Sequence, residues 1–397
     1  MAFYKDKLQT AYDTMKKENI DMWIVAGQES ATNSEPILPI ISDHEFIGET
    51  ALIFMKNGKA KTVCTPIDKN GYVNAGVFEE VIDFPVSFDQ SVADVIKDVK
   101  PQVIALDFSE NDPSSDGLTA GTYLHLMESF KLADFQGKVV SAKPIVNRVR
   151  GIKSSRELDK IRKACAAAEE IFRKAADVIR DGVNCQDVYA FFQKETDDHG
   201  YGYAWSKSCN PGVFSGPGCP AGHMGAPDVV IRKGHVVNID FGVKVDGYSC
   251  DLQRMYYVLR DDETDAPEDI KFAFYTERDG IAATAKYMTP GKTGLEVDTF
   301  CRETITSKGF AEWGCATGHQ MGMEAHDGGS ILGPQKPRYN RDDLIRVPIE
   351  AGNVFTIEPG IECSGGHLGM EEDVVVREQG AEFLTPPQQE LILIRSK

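Results

Sequence analysis

Apolar residues recur at two spacings along this chain, and the spacing changes from stretch to stretch. Leu158, Ile161, Cys165, Ala168, Phe172, Ala175 and Ile179 mostly fall three or four positions apart, which sets them on one face of a helix. Ser154 and Glu157 precede or open that run at the S-x-x-E spacing of a capping box, and Asp181-Gly182 closes it. Further helices are predicted near Cys185–His199 and over "PEDIKFAFYTERDGIAATAKYM" and "LEVDTFCRETITSKGF". "MWIVAG", "ETALIFMKNGKAKTVCT" and "VIALDFS" read instead as short buried strands, the second folded at Asn57-Gly58 into a hairpin. "NVFTIEPGIE" and "MEEDVVVRE" are later strands of the same kind, and "SENDPSSDGLTAG" is a surface loop. Residues 1–150 thus read as an α/β unit. In residues 151–397, two helices followed by strands occur twice, which points to a pseudo-symmetric half with a curved sheet covered by helices. The fold class expected is α+β, with two domains divided at that point.

One hairpin carries charge where apolar residues are expected. "VVNIDFGVKVDGYSCDLQR", Val236 to Arg254, sets Asp240 and Asp251 into β-structure. Asp246-Gly247 is a type I′ turn signal, because both central positions of that turn need positive φ. The turn fixes the register: Val245 faces Tyr248, Gly242 faces Asp251, and Asp240 faces Gln253. Alternation puts Asp240 and Asp251 on one face as diagonal neighbours, with room expected above Gly242. Cys250 points to the opposite face and reads as core. Two carboxylates ~6 Å apart repel by roughly 3 kcal/mol at an effective dielectric of 20. A positive group belongs between them, and a metal centre is the first candidate.

Composition narrows the setting. At 397 residues, two domains are the natural expectation, and 42% hydrophobic with 26% charged residues is the balance of a soluble globular protein. A formal charge of −18 argues against nucleic acid or an anionic membrane as partner. Nine cysteines without a C-x-x-C pair suggest free thiols in a reducing cytoplasm, not a disulfide framework or zinc ribbon. "MAFYKDKLQTAYDTMKKENID" has no apolar signal core. No apolar run approaches the ~18 residues of a membrane span.

Three more stretches carry residues of ligand type. "TGHQMGMEAHDGG" holds His319 and His326, "VFTIEPG" ends its strand at Glu358, and "GMEEDVVV" holds Glu371 and Glu372. An Asp, Asp, His, Glu, Glu set offers two divalent ions ample oxygen ligands and one imidazole. In this order and spacing, the chain resembles the pita-bread metallopeptidases, the family of methionine aminopeptidase, aminopeptidase P, prolidase and the creatinases. The resemblance covers nearly the whole chain. The front domain and the junction "VRGIKSSRELDKIRKA" are similar to the creatinase/prolidase branch. The resemblance implies a pita-bread fold for residues 151–397 and the metal ligands Asp240, Asp251, His319, Glu358 and Glu371, the last selected over Glu372 by alignment. It implies two divalent ions, manganese first, with cobalt, zinc or iron as alternatives. His223, seventeen residues before Asp240, matches the substrate-side histidine, and His326 matches the histidine on the scissile carbonyl. A hydroxide bridging the ions would attack that carbonyl, and Glu358 would carry the proton to the leaving nitrogen. A homodimer or homotetramer acting on short peptides is also implied.

The family pattern is broken at two places. Proline-specific members commonly carry Arg two residues before the final Glu, where this chain has Gly369, and His four residues before the metal His, where it has Cys315. Arg341, in "KPRYNRDDLIRVPIEAG", is the guanidinium expected to hold a substrate carboxylate. The reading is an exopeptidase for Xaa-Pro dipeptides or N-terminal Xaa-Pro bonds. The alternative is a creatinase-like or ectoine hydrolase-like C–N hydrolase of a small non-peptide molecule. Glu372 and Asp327, each beside a residue of the set, either orient their neighbours or sit in water. His367, close in sequence to Glu371, is a weaker candidate for the site wall.

Overall fold

The computed structural model describes residues 2–31, 35–84, 86–220, 222, 224–337 and 342–395. The chain divides into two compact units, Met1–Arg150 and Gly151–Lys397.

The first unit is built on a six-stranded mixed sheet. Its order is Glu80–Asp83, Ala60–Cys64, Thr50–Met55, Met22–Gly27, Val103–Leu106 and Lys138–Ser141. The two central strands are antiparallel neighbours and are almost wholly buried, which explains why they read as continuous apolar runs and not as alternating ones. The hairpin at Asn57-Gly58 is present, with Gly58 in positive φ and Asn57 outside that region. The helix Phe88–Val99 starts where the Ser87 side chain accepts the Gln90 N–H, a normal N-cap. Its residues Val92, Val95 and Ile96 join Ile24, Ile53 and Leu106 in the core of this unit.

The second unit opens with the helix Ser155–Ala175, closed at its start by a reciprocal capping box between Ser154 and Glu157. The sequence pattern extends this helix too far. Ile179 is buried, but it lies four residues past the helical end, just after a turn at 176–178 that carries it into the same core. Asn184 and Asp187 form a second capping box for the helix Cys185–Asp198. A four-stranded sheet follows, in the order Ile392–Ile394, Leu252–Val258, Val236–Phe241 and Gly212–Ser215. The helices Glu268–Tyr287 and Gly294–Thr306 come next, and then a sheet of Val354–Ile357, Glu372–Arg377 and Gly380–Phe383.

Strand alternation divides this unit between two cores. Tyr256 and Val258 pack with Phe172, Phe192 and Phe241 under the first helix pair. Met255 and Tyr257 pack with Phe274, Ile281 and Val297 under the second. Val375 and Val374 part in the same way. Each sheet is therefore buried on both faces, and a polar side chain placed in it must find partners within the protein. No helix among the described residues is long and apolar enough to cross a membrane.

Candidate metal centre

The turn chemistry of the acidic hairpin is as the sequence implies. Asp246 and Gly247 both have positive φ, 52° and 80°. Val245 pairs with Tyr248 and Asp240 with Gln253. The space expected above Gly242 is not there. A Cβ on Gly242 would stand 2.6 Å from the Trp205 ring and collide with the Cys250 carbonyl. Glycine is needed at this position because an indole takes the volume, and Trp205 is itself a wall of the site.

That site is a cavity of about 470 Å³ lined by Asp240, Asp251, His319, His326, Glu358 and Glu371. Trp205, Ala316, Ile331, Cys209 and Cys315 complete much of its wall. Four loci far apart in sequence meet here. Ligand-type atoms of Asp251, His319 and Glu371 lie within 4.8 Å of one another. His319 Nε2 is 3.7 Å from Asp251 Oδ2 and 3.5 Å from Glu358 Oε1, and the ring of His326 is 4.3 Å from that of His319, centre to centre. His319 Nδ1 is 3.3 Å from the Gln320 carbonyl, which can only accept, so the proton belongs on Nδ1. Nε2 then turns a lone pair toward two carboxyl groups.

The electrostatics of the cluster are strained in one direction. Burial pushes Asp240 up to about 7 and Glu358 up to about 8, with the Asp240 charge adding to the second. Asp251 and Glu371 are also held well above the usual carboxylate range, by burial first and by the other acids second. Asp240 Oδ1 and Glu371 Oε1 are buried without a hydrogen-bond partner. Cations among these atoms would relieve both the repulsion and the missing partners.

Around the cluster, buried groups tie the acids in place. The Asp251 N–H donates to Asp373 Oδ2 at 3.0 Å, and the Cys165 thiol donates to the same oxygen. Cys250 lies in the apolar core beneath, as its strand position implies. Glu372 is not in water: its carboxylate meets Arg254 Nη2 at 3.0 Å and accepts the Gln388 N–H. Asp327 is equally enclosed, 3.0 Å from Lys153 Nζ with both side chains almost fully buried. His367 pairs with Glu362 at 2.7 Å. His223 and Arg341 lie outside the described residues. Sequence reasoning missed Arg254 and Trp205, which meet Glu372 and Gly242, residues remote from them in the chain. It also passed over Gln253, although the hairpin register already set that residue opposite Asp240.

A curved, helix-covered pair of sheets with a carboxylate and histidine cluster between them defines the chain as a pita-bread metallopeptidase. Residues 159–378 match metallopeptidase family M24, and the chain belongs to that family: it is an enzyme, a metal-dependent peptidase. It is 29% identical over 322 residues to the uncharacterized peptidase YqhT of Bacillus subtilis, covering 79% of this chain and 82% of the relative. It is 30% identical over 275 residues to the probable dipeptidase PepE of Mycobacterium tuberculosis, covering 68% of each. The fold is that of the Xaa-Pro dipeptidase from Bacillus anthracis, with a TM-score of 0.72, 23% identity, and coverage of 98% and 99% of the two chains.

Proposed function

We propose that this metallopeptidase is a two-metal exopeptidase for short peptides, with Xaa-Pro dipeptides and N-terminal Xaa-Pro bonds as its first substrates. The observation that carries the reading is the convergence of Asp240, Asp251, His319, Glu358 and Glu371 on one cavity. These five would hold two divalent ions, with manganese favoured by a donor set of four carboxylates and one imidazole, and cobalt, zinc or iron as alternatives. When bound, such ions lower the pKa of water and polarise a carbonyl oxygen.

The remaining chemistry falls to side chains. His326, beside His319 on the cavity wall, is the donor aimed at the oxygen of the scissile carbonyl. Glu358 is the carboxyl nearest His319 Nε2, and in this reading it accepts a proton and returns it to the leaving nitrogen. Trp205, Ala316 and Ile331 give the substrate an apolar wall beside the acids. His223 and Arg341 are proposed, from the sequence alone, to contact the substrate. Residues 1–150 are proposed as a creatinase/prolidase-like front domain, and the active form as a homodimer or homotetramer.

The test is a metal add-back assay on chelator-stripped protein with Mn²⁺, Co²⁺, Zn²⁺ or Fe²⁺. Its substrates are Xaa-Pro dipeptides, Xaa-Pro tripeptides, non-proline dipeptides, creatine and ectoine. Metal-restored cleavage of the proline peptides is the expected result. Restored hydrolysis of creatine or ectoine with every peptide intact would overturn the peptide reading. Such an outcome would assign the enzyme to small-molecule C–N hydrolysis.

A further inference from the structure

Asp240 and Glu371 do not stand side by side; Gln253 separates them. Gln253 is the cross-strand partner of Asp240 and forms a backbone bridge with Glu371 on its other side. Both N–H groups of that bridge are used, at 3.3 and 3.4 Å. The three residues therefore make one lateral row across three chain segments, acid, amide, acid.

The side chains follow the same line. Gln253 Nε2 donates to Glu371 Oε2 at 2.9 Å. Gln253 Oε1 accepts from Asn238 Nδ2 at 3.1 Å, and the same amide donates to the Gly369 carbonyl at 2.8 Å. Asn238 thus fixes which end of Gln253 faces the acid. An amide whose oxygen is already an acceptor for Asn238 can offer Glu371 only its NH₂. One oxygen of Glu371 is taken in this way, and Oε1 is the one left without a partner.

Gly369 makes the arrangement fit. A Cβ there would stand 2.6 Å from Gln253 Oε1, 3.1 Å from His367 Nε2 and 3.3 Å from Asn238 Nδ2. The absent side chain at 369 is thus the space that Gln253 occupies.

We infer that Gln253, held by Asn238 and admitted by Gly369, is a positioning residue that turns Glu371 so that Oε1 is presented to the metal. A neutral donor suits this place. A carboxylate would add a like charge opposite two acids, and an apolar residue would leave Glu371 free to rotate. The inference rests on Glu371 being a ligand, so the experiment tests both separately.

Calorimetric titration of the chelator-stripped full chain with Mn²⁺ is the readout, with circular dichroism to confirm folding. Glu371→Ala is the control for the ligand assignment and is expected to abolish binding at one site. Gln253→Ala, Gln253→Met and Gln253→Glu are each expected to weaken that site by about 10- to 100-fold, the range for partners that orient a ligand. Met keeps the volume of the side chain, so its loss reports the donor and not packing. Gly369→Ala is expected to weaken the site by a similar factor by displacing Gln253. The Gln253→Ala/Gly369→Ala double variant should be no weaker than either single, since both act through one contact. Full Mn²⁺ affinity in folded Gln253→Met would overturn the inference, as would additive losses in the double variant. Undiminished binding by Glu371→Ala would overturn the ligand assignment beneath it.

Discussion

Arg254 ties buried segments together outside the cavity wall, and Arg254→Met is the substitution that measures it. The guanidinium is buried and reaches three segments at once. Nε donates to Glu169 Oε1 at 2.9 Å, Nη2 pairs with Glu372 at 3.0 Å, and Nη1 donates to the Gln253 and Glu371 carbonyls at 2.9 and 3.0 Å. Glu372 is wholly buried, and burial pushes it up to about 7 even with Arg254 pulling it down. Glu169 is 32% exposed and can take water instead, so that arm is worth no more than about 1 kcal/mol. The Gln253 and Glu371 carbonyls keep each other's backbone N–H, so the cost of Arg254→Met comes chiefly from the stranded Glu372. Removing one member of such a buried pair costs about 3–5 kcal/mol. At about 2–4 °C per kcal/mol for a unit of this size, the melting temperature should fall by about 6–20 °C. Differential scanning calorimetry provides the assay. Arg254→Met/Glu372→Gln removes the stranded charge and should recover part of the loss. A single variant within about 0.5 kcal/mol of the parent, the level of an ordinary surface change, would refute the reasoning. So would a double variant no more stable than the single.

Three further outcomes are expected. Gly242→Ala forces a methyl group against the Trp205 ring and the Cys250 carbonyl; overpacking of this kind costs about 1–3 kcal/mol, and a raised KM should accompany the lowered urea midpoint. Lys153→Met leaves the buried Asp327 carboxylate without its ammonium beside His326; kcat should fall about 10- to 100-fold through misplacement of the loop, with Mn²⁺ affinity unchanged, and equal losses in both would contradict the assignment. In the metal-free chain, Asp240 and Glu358 hold protons to about 7 and about 8, above their ordinary values of 3.8 and 4.5. The folded state therefore keeps protons that the unfolded chain has released. Metal-free stability should fall as pH rises from about 4 to about 8, and Mn²⁺ affinity should rise over the upper part of that window, as calorimetry at a series of pH values would read. A metal-free protein that gains stability across the window would contradict the cluster electrostatics.

What could be read from the sequence was whatever local chemistry decides. Asp246-Gly247 sets a type I′ turn whatever surrounds it, and the register of Asp240 against Gln253 follows from it. The Ser154–Glu157 capping box is equally local. The helix that follows was overextended because apolar periodicity records burial: Ile179 keeps the spacing beyond the turn that ends the helix. Space over Gly242 was misjudged because Trp205 arrives from a distant loop. Arg254 was passed over for the same reason, since neither Glu169 nor Glu372 is its neighbour in sequence. The acids of the cluster stood out because carboxylates in or beside buried apolar strands need a reason to be there.

The lateral row of Asp240, Gln253 and Glu371 has a consequence for how this gene product can change in length. Successive side chains of a strand point to opposite faces, so one residue inserted or deleted between Asp240 and Val245, or between Tyr248 and Gln253, turns an acid away from the cavity into an apolar core. No compensating substitution at a single position repairs that. The Asp246-Gly247 turn can lengthen without disturbing either strand. On the proposed ligand assignment, length variation compatible with activity is therefore confined to the tip of the hairpin, and the strands beneath it hold a set residue count.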